Sequence, residues 1–330
     1  MDSYVSIVIP CFNEEKYIGK CLTSIVNQIY PRNLIEVIVV NGNSTDSSVD
    51  KIKQYYSQLS NLILLDNPKR ITPVGLNIGV KHAKGKVIVI LGAHSYIADD
   101  FIQNAVNELN ESDADCVGGP ITNKGTTFVA KAIALAMKSS FGVGNSLFRV
   151  SVKKQYVDTV AFGAYRKEIF KKIGYFDESL TRNQDFEFNQ RIIQSGKKIL
   201  LTPEIRSFYY CRSSLLKLFK QYFLYGFWKG KVVKKNLSYF KVRYQIPALF
   251  VFTILILGVG GVFQHFFWCL LGFLLMIYLF LSSSVSIYLG MRENLKYIPI
   301  LPFVFATLHF AFGFGLLSFI FYNKERAKKL

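Results

Sequence analysis

KVIVILGAHSYIADDF, residues 86–101, is the stretch on which the reading of this chain turns. Val87 to Leu91 is a short unbroken apolar run rich in β-branched side chains, the pattern of a strand covered on both faces by helices. It stops at Gly92-Ala93-His94-Ser95. Small and polar residues at the carboxyl end of a buried strand are where open α/β sheets place their ligands. His94 can bind a metal, donate a hydrogen bond or titrate, and Asp99 and Asp100 follow shortly after it. The same residues also fit a plain strand-to-helix loop with a capping aspartate.

The flanking segments repeat the pattern. Upstream, Tyr4 to Ile9, Leu34 to Val40 and Leu62 to Leu65 read as strands. Helical patterns separate them: one through Ile18, Leu22, Ile25 and Val26, one beginning near Asp46, and one over Thr72 to Ala83 with Pro73 in its first turn. MDSYVSIVIP reads as the lead-in to the first strand rather than a signal peptide, for it lacks a basic region before a long apolar core. Downstream come a helix from Phe101 to about Leu109, a strand at Asp115 to Gly118 and a helix over Thr127 to Met137. Ser139 to Gln155 lacks periodicity and reads as a mobile loop. Order returns at Ala161 to Ile169, with a helix over Arg182 to Ser195 and a short strand at Ile199 to Leu201. Strand and helix in alternation predict an α/β fold with a doubly wound, mostly parallel sheet.

Composition divides the chain. Of 330 residues, 51% are hydrophobic and 15% aromatic, an excess concentrated after Ile246. Spans are expected at about Ile246–Phe263, Phe266–Gly290 and Ile298–Tyr322. The net charge is +18, and residues 196–245 hold twelve Lys or Arg against one acid, Glu204. Just ahead of apolar spans, such a run faces anionic headgroups and holds that end in the cytoplasm; a nucleic-acid partner is disfavoured. Ser214 to Lys235, with Leu, Phe and Trp among lysines, reads as an amphipathic helix in the membrane interface, a packed surface helix being the alternative. The expected division is a catalytic domain over 1–210, a basic interfacial segment over 211–245 and a transmembrane region of about three helices over 246–330. Three crossings conflict with the basic residues Lys324, Arg326, Lys328 and Lys329, which belong on the cytoplasmic side. Either that rule is overridden or one segment is re-entrant, the last span, interrupted by Gly313 and Gly315, being the suspect. Five cysteines without a CxxC pair argue against a disulfide framework or structural zinc.

Three loops at strand ends carry the chemistry: Pro10 to Glu15, Asn41 to Asp46 and Gly92 to Asp100. A doubly wound sheet brings neighbouring strand ends into one crevice, so Asn13, Glu14, Asn41, Asp46 and His94 can converge there, a set suited to a nucleotide. Lys69 and Arg70 lie near the same edge and can neutralise a diphosphate. There is no Walker loop and no GxGxxG. Asp185, in Arg182-Asn183-Gln184-Asp185, stands at a helix start, either as a cap or as a general base.

SIVIPCFNEE, NGNSTDSS, PVGLNIGVKHAKG, ILGAHSYIADDF and AFGAYRKEIFKKIGYFDESLTRNQDFEFNQRIIQSGKKI follow in that order. On these motifs, over residues 4 to 235, the chain resembles the family 2 glycosyltransferases, inverting enzymes of GT-A fold. It is most similar to the membrane-anchored bacterial enzymes of succinoglycan-type exopolysaccharide assembly. The resemblance implies that Pro10, Asn13, Glu14, Asn41, Asp46, Arg70 and Asn77 serve the nucleotide-sugar. It assigns His94 to the final position of the family's Asp-x-Asp metal motif and Asp185 to the catalytic base. Arg212, Gln221, Tyr225 and Trp228 would meet the acceptor or the membrane interface. Asn41-Gly42 and Gly92 depart from the family's acidic residues, leaving a site with one imidazole and one carboxylate fewer, which favours Mn²⁺ over Mg²⁺; Asp99 or Asp100 is the expected helper. The implied reaction moves a sugar from a nucleotide-diphosphate sugar, UDP-linked by expectation, to a lipid-linked saccharide at the cell membrane. The implied setting is multi-pass, with the catalytic domain cytoplasmic. A polyprenyl-phosphate acceptor, a degenerate donor-binding scaffold and a polymerising synthase remain as alternatives.

Overall fold

In the first strand, β1 (Val5–Cys11), alternate side chains enter two different apolar clusters. Val5, Ile7 and Ile9 join one and Val8 the other, as the two-residue period of a strand requires. A strand greasy on both faces needs a layer on each, and the chain supplies them in sequence. After β1 come α1 (Ile18–Val26), β2 (Ile35–Asn41), α2 (Ser48–Lys53), β3 (Leu62–Asp66), α3 (Thr72–His82) and β4 (Val87–Ile90). Then follow β5 (Ser95–Ile97), α4 (Phe101–Glu111), β6 (Cys116–Gly118), β7 (Ile121–Lys124), α5 (Phe128–Ala136), α6 (Ser140–Val143), α7 (Leu147–Val150), β8 (Gln155–Tyr156), β9 (Ala164–Arg166), α8 (Glu168–Ile173), α9 (Gln184–Gln194), β10 (Ile199–Leu201) and β11 (Ser207–Tyr210). Four long helices close the chain: α10 (Leu215–Lys235), α11 (Ile246–Phe263), α12 (His265–Arg292) and α13 (Leu301–Ile320). The computed structural model describes residues 3–151 and 153–320. The start of the expected lead-in (Met1, Asp2), the end of the third expected span at Tyr322 and the basic residues Lys324 to Lys329 lie outside the described residues.

The main sheet has eight strands in the order β3-β2-β1-β4-β9-β6-β10-β8. The β3-β2-β1-β4 half is parallel throughout. Helices α1 and α4 cover one face with Leu22, Ile25, Phe101, Ile102 and Leu109. On the other face α3 contributes Leu76 and Val80, and α9 Phe188 and Ile192. Gly79 lets α3 sit directly on the sheet, because a Cβ there would fall 2.3 Å from Val8. The second half was not visible in the hydrophobic pattern. Strand β9 runs antiparallel to both β4 and β6, and β8 is antiparallel to β10. Three residues is too short a strand to show a period. A small second sheet, in the order β5-β11-β7, was likewise unforeseen. The expected mobile loop over 139–155 instead contains α6 and α7 and reaches β8 at Gln155.

The described residues fall into two units: residues up to 122 with Leu147–Tyr210, and Asn123–Ser146 with the chain from Cys211 onward. The expected division changes accordingly. Residues 123–146, which begin with the end of β7, group with the later helices, and the basic segment 211–245 does not stand alone. The reason is apolar. In the second unit Phe128 stacks on Tyr297 at 5.3 Å, and Phe141 packs edge-on to Phe305 at 4.9 Å. Among the described residues three helices, α11, α12 and α13, are long and apolar enough to cross a membrane. All five cysteines are free, and only Cys269 is exposed.

Candidate active site

Strand order reverses between β1, whose neighbour in the chain is β2, and β4 on its other side. Crevices of open α/β sheets lie at such a switch, beyond the carboxyl ends of the strands. Here the loop after β1 meets the loop after β2. The Gly42 N–H donates to Cys11 O at 2.7 Å, and the Asn13 and Glu14 N–H groups donate to Ser44 Oγ (3.0 Å) and Ser48 Oγ (2.8 Å). Asn13, held at φ +53°, accepts the Thr45 N–H on its Oδ1 at 2.8 Å. Asn41, almost fully buried at the end of β2, accepts the Ser44 N–H at 3.0 Å. Its carbonyl takes the Asn67 N–H at 2.7 Å, which ties in the loop after β3. Pro10, half-buried beside Val40 in the ladder, ends the run into this cluster.

Asp46 binds this loop pair from below. Its two oxygens accept the Glu15 N–H at 3.1 Å and the Ser48 N–H at 3.0 Å. Desolvation pushes its carboxyl up, but the hydrogen bonds from Ser48 and Glu15 outweigh that and hold it below the ordinary aspartate value. Arg70 also adopts a left-handed conformation (φ +60°), with its Cα 3.6 Å from a Cβ built on Gly42. Its side chain is exposed and forms no ion pair among the described residues, whereas Lys69 pairs with Glu178 at 3.5 Å. Asn77 lies apart from this rim. Almost fully buried in α3, it donates to Phe176 O (2.9 Å) and Glu178 Oε1 (3.1 Å) and accepts the Phe176 N–H (2.9 Å). Its amide is fully used in holding the 176–178 turn. The sequence expected it at the donor; in the fold its amide is engaged with that turn.

After β4 the chain turns at Gly92 and presents His94 to the β1 loop. His94 Nδ1 lies 2.9 Å from Glu14 Oε1, with both side chains about a quarter exposed at 28% and 22%. A carboxylate only accepts, so Nδ1 carries the proton, and in the neutral imidazole that leaves the lone pair on Nε2. Tyr209 meets the imidazole edge-on at 5.1 Å. Glu14 was expected to touch nucleotide; its contact with His94 could not be read from residues 80 apart in sequence. Gly92 has a local cause as well. A Cβ there would lie 3.3 Å from the Phe162 ring and 3.3 Å from the buried, unpartnered Ser95 hydroxyl. Phe162 itself is held at φ +51°, unusual for a bulky residue. Thus an aromatic ring sits where the family's first metal-motif carboxylate would project. Asp99 and Asp100, the expected helpers, show no contact with His94 among the described residues. They follow the intervening strand β5, where Asp100 pairs with Arg206 at 2.9 Å and the Asp99 carbonyl accepts from Ile29. Among the described residues no three His, Cys, Asp or Glu side chains cluster as a complete metal nest. The donor set does fit a divalent cation completed by its ligand: one imidazole oriented through its far nitrogen by a carboxylate is the arrangement that metal-binding histidines adopt.

Asp185 stands exposed in the first turn of α9, after Asn183 at φ +59°. Every polar neighbour deeper in that helix is engaged. Glu187 pairs with Arg191 at 2.8 Å, and Arg191 caps the Ile173 and Tyr175 carbonyls. Asn189 bonds Tyr165, Thr159 and the Val160 carbonyl, and Gln190 bonds Asp158 O. Through Thr159 and Val160 the helix is fastened to the loop between β8 and β9 that carries Phe162, and so to the Gly92 turn. Burial, with Cys116 and the Asp185 charge adding, holds the Tyr165 phenol well above its ordinary value. Arg212, Gln221, Tyr225 and Trp228 belong to the second unit. Gln221 is buried and donates to Tyr225 Oη at 2.9 Å, and Lys231 lies over the Trp228 ring at 4.3 Å.

A parallel sheet with a polar switch-point crevice, a carboxylate-backed histidine and an exposed helix-start aspartate defines a nucleotide-handling transferase of α/β class. The comparisons with known proteins make this specific. Residues 6–174 match the model of Glycosyl transferase family 2. The chain is 34% identical over 328 residues to the Methanococcus voltae dolichyl N-acetyl-alpha-D-glucosaminyl phosphate 3-beta-D-2,3-diacetamido-2,3-dideoxy-beta-D-glucuronosyltransferase, covering 96% of this chain and 98% of that one. It is 30% identical over 243 residues to the succinoglycan biosynthesis protein ExoA of Rhizobium meliloti, 73% of each chain. In fold it is similar to the mannosyltransferase PcManGT from Pyrobaculum calidifontis, solved with GDP-Man and Mn²⁺. That match has a TM-score of 0.62 at 17% identity and covers 97% of this chain and 88% of that one. The protein belongs to glycosyltransferase family 2 and is a glycosyltransferase of GT-A fold.

Proposed function

We propose that the protein transfers one sugar, with inversion, from a nucleoside-diphosphate sugar to a hydroxyl of a lipid-linked saccharide at the cytoplasmic face of a membrane. The observation that carries this reading is Asp185: a carboxylate left exposed in the first turn of a helix whose buried polar side chains, Glu187, Asn189 and Gln190, are all engaged. In the displacement the acceptor oxygen bonds to the anomeric carbon as the bond from that carbon to the diphosphate oxygen breaks. The acceptor's proton passes to Asp185, and the nucleoside diphosphate leaves with the bonding pair. A phosphate acceptor, already ionised, would need no base, so Asp185 favours a hydroxyl.

Pro10, Asn13, Glu14, Asn41 and Asp46 form the donor rim, and an amide at Asn41 can both give and accept hydrogen bonds to uracil. Exposed Arg70 meets the diphosphate. A divalent cation, Mn²⁺ in preference to Mg²⁺, would be held by His94 Nε2 with Glu14 orienting the ring, and it would offset charge on the leaving diphosphate. Arg212, Gln221, Tyr225 and Trp228 serve the acceptor or the headgroup layer. The lipid-linked acceptor is supported by the Methanococcus voltae relative, whose name specifies a dolichyl phosphate-linked sugar as acceptor. The metal is supported by the Mn²⁺ in the mannosyltransferase complex.

The test presents labelled UDP- and GDP-sugars to membranes containing the full chain and extracts the lipid fraction. One labelled sugar added per lipid-linked acceptor, from one nucleotide class, is expected. Label appearing as a polymer, on polyprenyl phosphate itself or not at all would overturn the reading.

A further inference from the structure

Helices α11, α12 and α13 match in length and apolarity but differ in what surrounds them. α11 and α12 form an antiparallel hairpin turned at Gln264. Gly260 and Gly261 meet Phe267 and Trp268 near the tip, and Phe250 stacks on Tyr278 at 4.9 Å further down. At its base Phe250 meets Phe310 of α13, and Tyr278 Oη lies 2.9 Å from His309 Nδ1; beyond that base and the seam the hairpin is bare. Leu249, Phe252, Leu255, Ile256, Val259 and Phe263 of α11 are all exposed, and the buried residues of α12 lie only in its last third, from Ser282 to Gly290. An all-round apolar surface of this extent suits a lipid solvent.

α13 is enclosed. Leu301, Val304, Phe305, Leu308, Ala311, Gly315 and Leu316 make a buried stripe at helical spacing, and only Phe303, Phe314 and Ile320 are exposed. It touches only the base of the hairpin: a Cβ on Gly313 would lie 2.4 Å from Pro247 O and 2.7 Å from Val251 in the first two turns of α11, and His309 meets Tyr278 of α12. Its most extensive partner is α10. A Cβ on Gly226 would fall 2.2 Å from Phe312 O, and one on Gly315 would fall 2.0 Å from Phe223 O, so the two backbones are in contact. α10 carries Lys217, Lys220, Lys229, Lys231, Lys234 and Lys235. A helix with six lysines does not cross hydrocarbon, where each at mid-depth costs about 3 kcal/mol. A helix packed along it shares its depth.

We propose that only α11 and α12 cross the bilayer, as a hairpin about 27 Å deep at 1.5 Å per residue, and that α13 is no crossing. With α10 it forms a basic platform against anionic headgroups, on the side where the chain enters α11. Charge agrees. Lys241 and Arg243 precede α11, Arg292 ends α12 and Lys296 follows it, and the Gln264-His265 tip has no Lys or Arg. Two crossings return the basic segment 324–329 to the same side, which the expected three would not.

The test uses full-length protein in sealed membrane vesicles of both orientations and a membrane-impermeant maleimide. Cys269→Ser removes the exposed native thiol, and single cysteines are then introduced as Gln264→Cys, Lys296→Cys and Lys324→Cys. Lys296→Cys and Lys324→Cys should label in the same vesicle orientation and Gln264→Cys in the opposite one. Labelling of Lys324→Cys on the opposite side from Lys296→Cys would overturn the proposal, as would Gln264→Cys labelling together with Lys296→Cys.

Discussion

The two halves of the eight-stranded sheet carry rim residues of opposite character. On the β3-β2-β1-β4 half, the polar residues of the loops hold one another: Asn13 to Thr45, Asp46 to Glu15 and Ser48, Glu14 to His94. On the β9-β6-β10-β8 half, the residues behind α9 are locked together and Asp185 is left in solvent. A group that must receive a proton has to be accessible, and its helix has to be rigid. A surface that recognises a nucleotide has to exist before the ligand arrives. One half's rim is held in place by its own hydrogen bonds, and the other leaves a single helix-start carboxylate exposed.

This contrast can be broken by substitution. The largest effect is expected from Asp185→Asn: turnover should drop by about 10²–10⁴-fold, with donor affinity and melting temperature unchanged. Normal turnover would remove the aspartate from the mechanism. Next, Glu14→Gln should release the His94 ring and weaken Mn²⁺ binding by about 10–100-fold. Titration of bound Mn²⁺ by magnetic resonance reads this apart from activity, and unchanged affinity would leave Glu14 a loop residue only. A smaller effect separates Asn77 from Arg70. Asn77→Ala strands a buried turn and should cost about 1–3 kcal/mol of stability in a denaturant melt, with little change in donor KM. Arg70→Ala should do the reverse. The smallest effect concerns acid. Asp46 is held below its ordinary value of 3.8 in the fold, so its contribution is present above that range and lost as pH falls through and below it. The melting-temperature difference between wild type and Asp46→Asn should therefore be full at neutral pH and fade in strong acid. A difference that persists undiminished would mean the carboxylate's charge is not what binds the loops.

How far each half was legible follows from the physics of its elements. The parallel half announced itself because Val5–Ile9, Ile35–Val40 and Val87–Ile90 must be apolar on both faces, and that demand is written in consecutive residues. The antiparallel strand β9 did not, since Ala164–Arg166 is three residues whose neighbours come from elsewhere in the chain. Asp185 was visible as a residue type at a helix start, but whether it capped or faced outward depended on the packing of Asn189 and Gln190 beneath it. That Asn77 is buried against the 176–178 turn was not legible, because an exposed polar residue and a buried one look alike in one dimension.

From the residues alone came the layer order, the three rim loops and the apolar character of the last helices. All of these follow from side-chain patterning along neighbouring positions. Only the folded chain decided that His94 answers to Glu14, that Phe162 fills the space beside Gly92, and that α13 is wrapped while α11 and α12 are bare. Each of those depends on residues tens of positions apart being brought within a few ångströms, and local sequence holds no record of such distances.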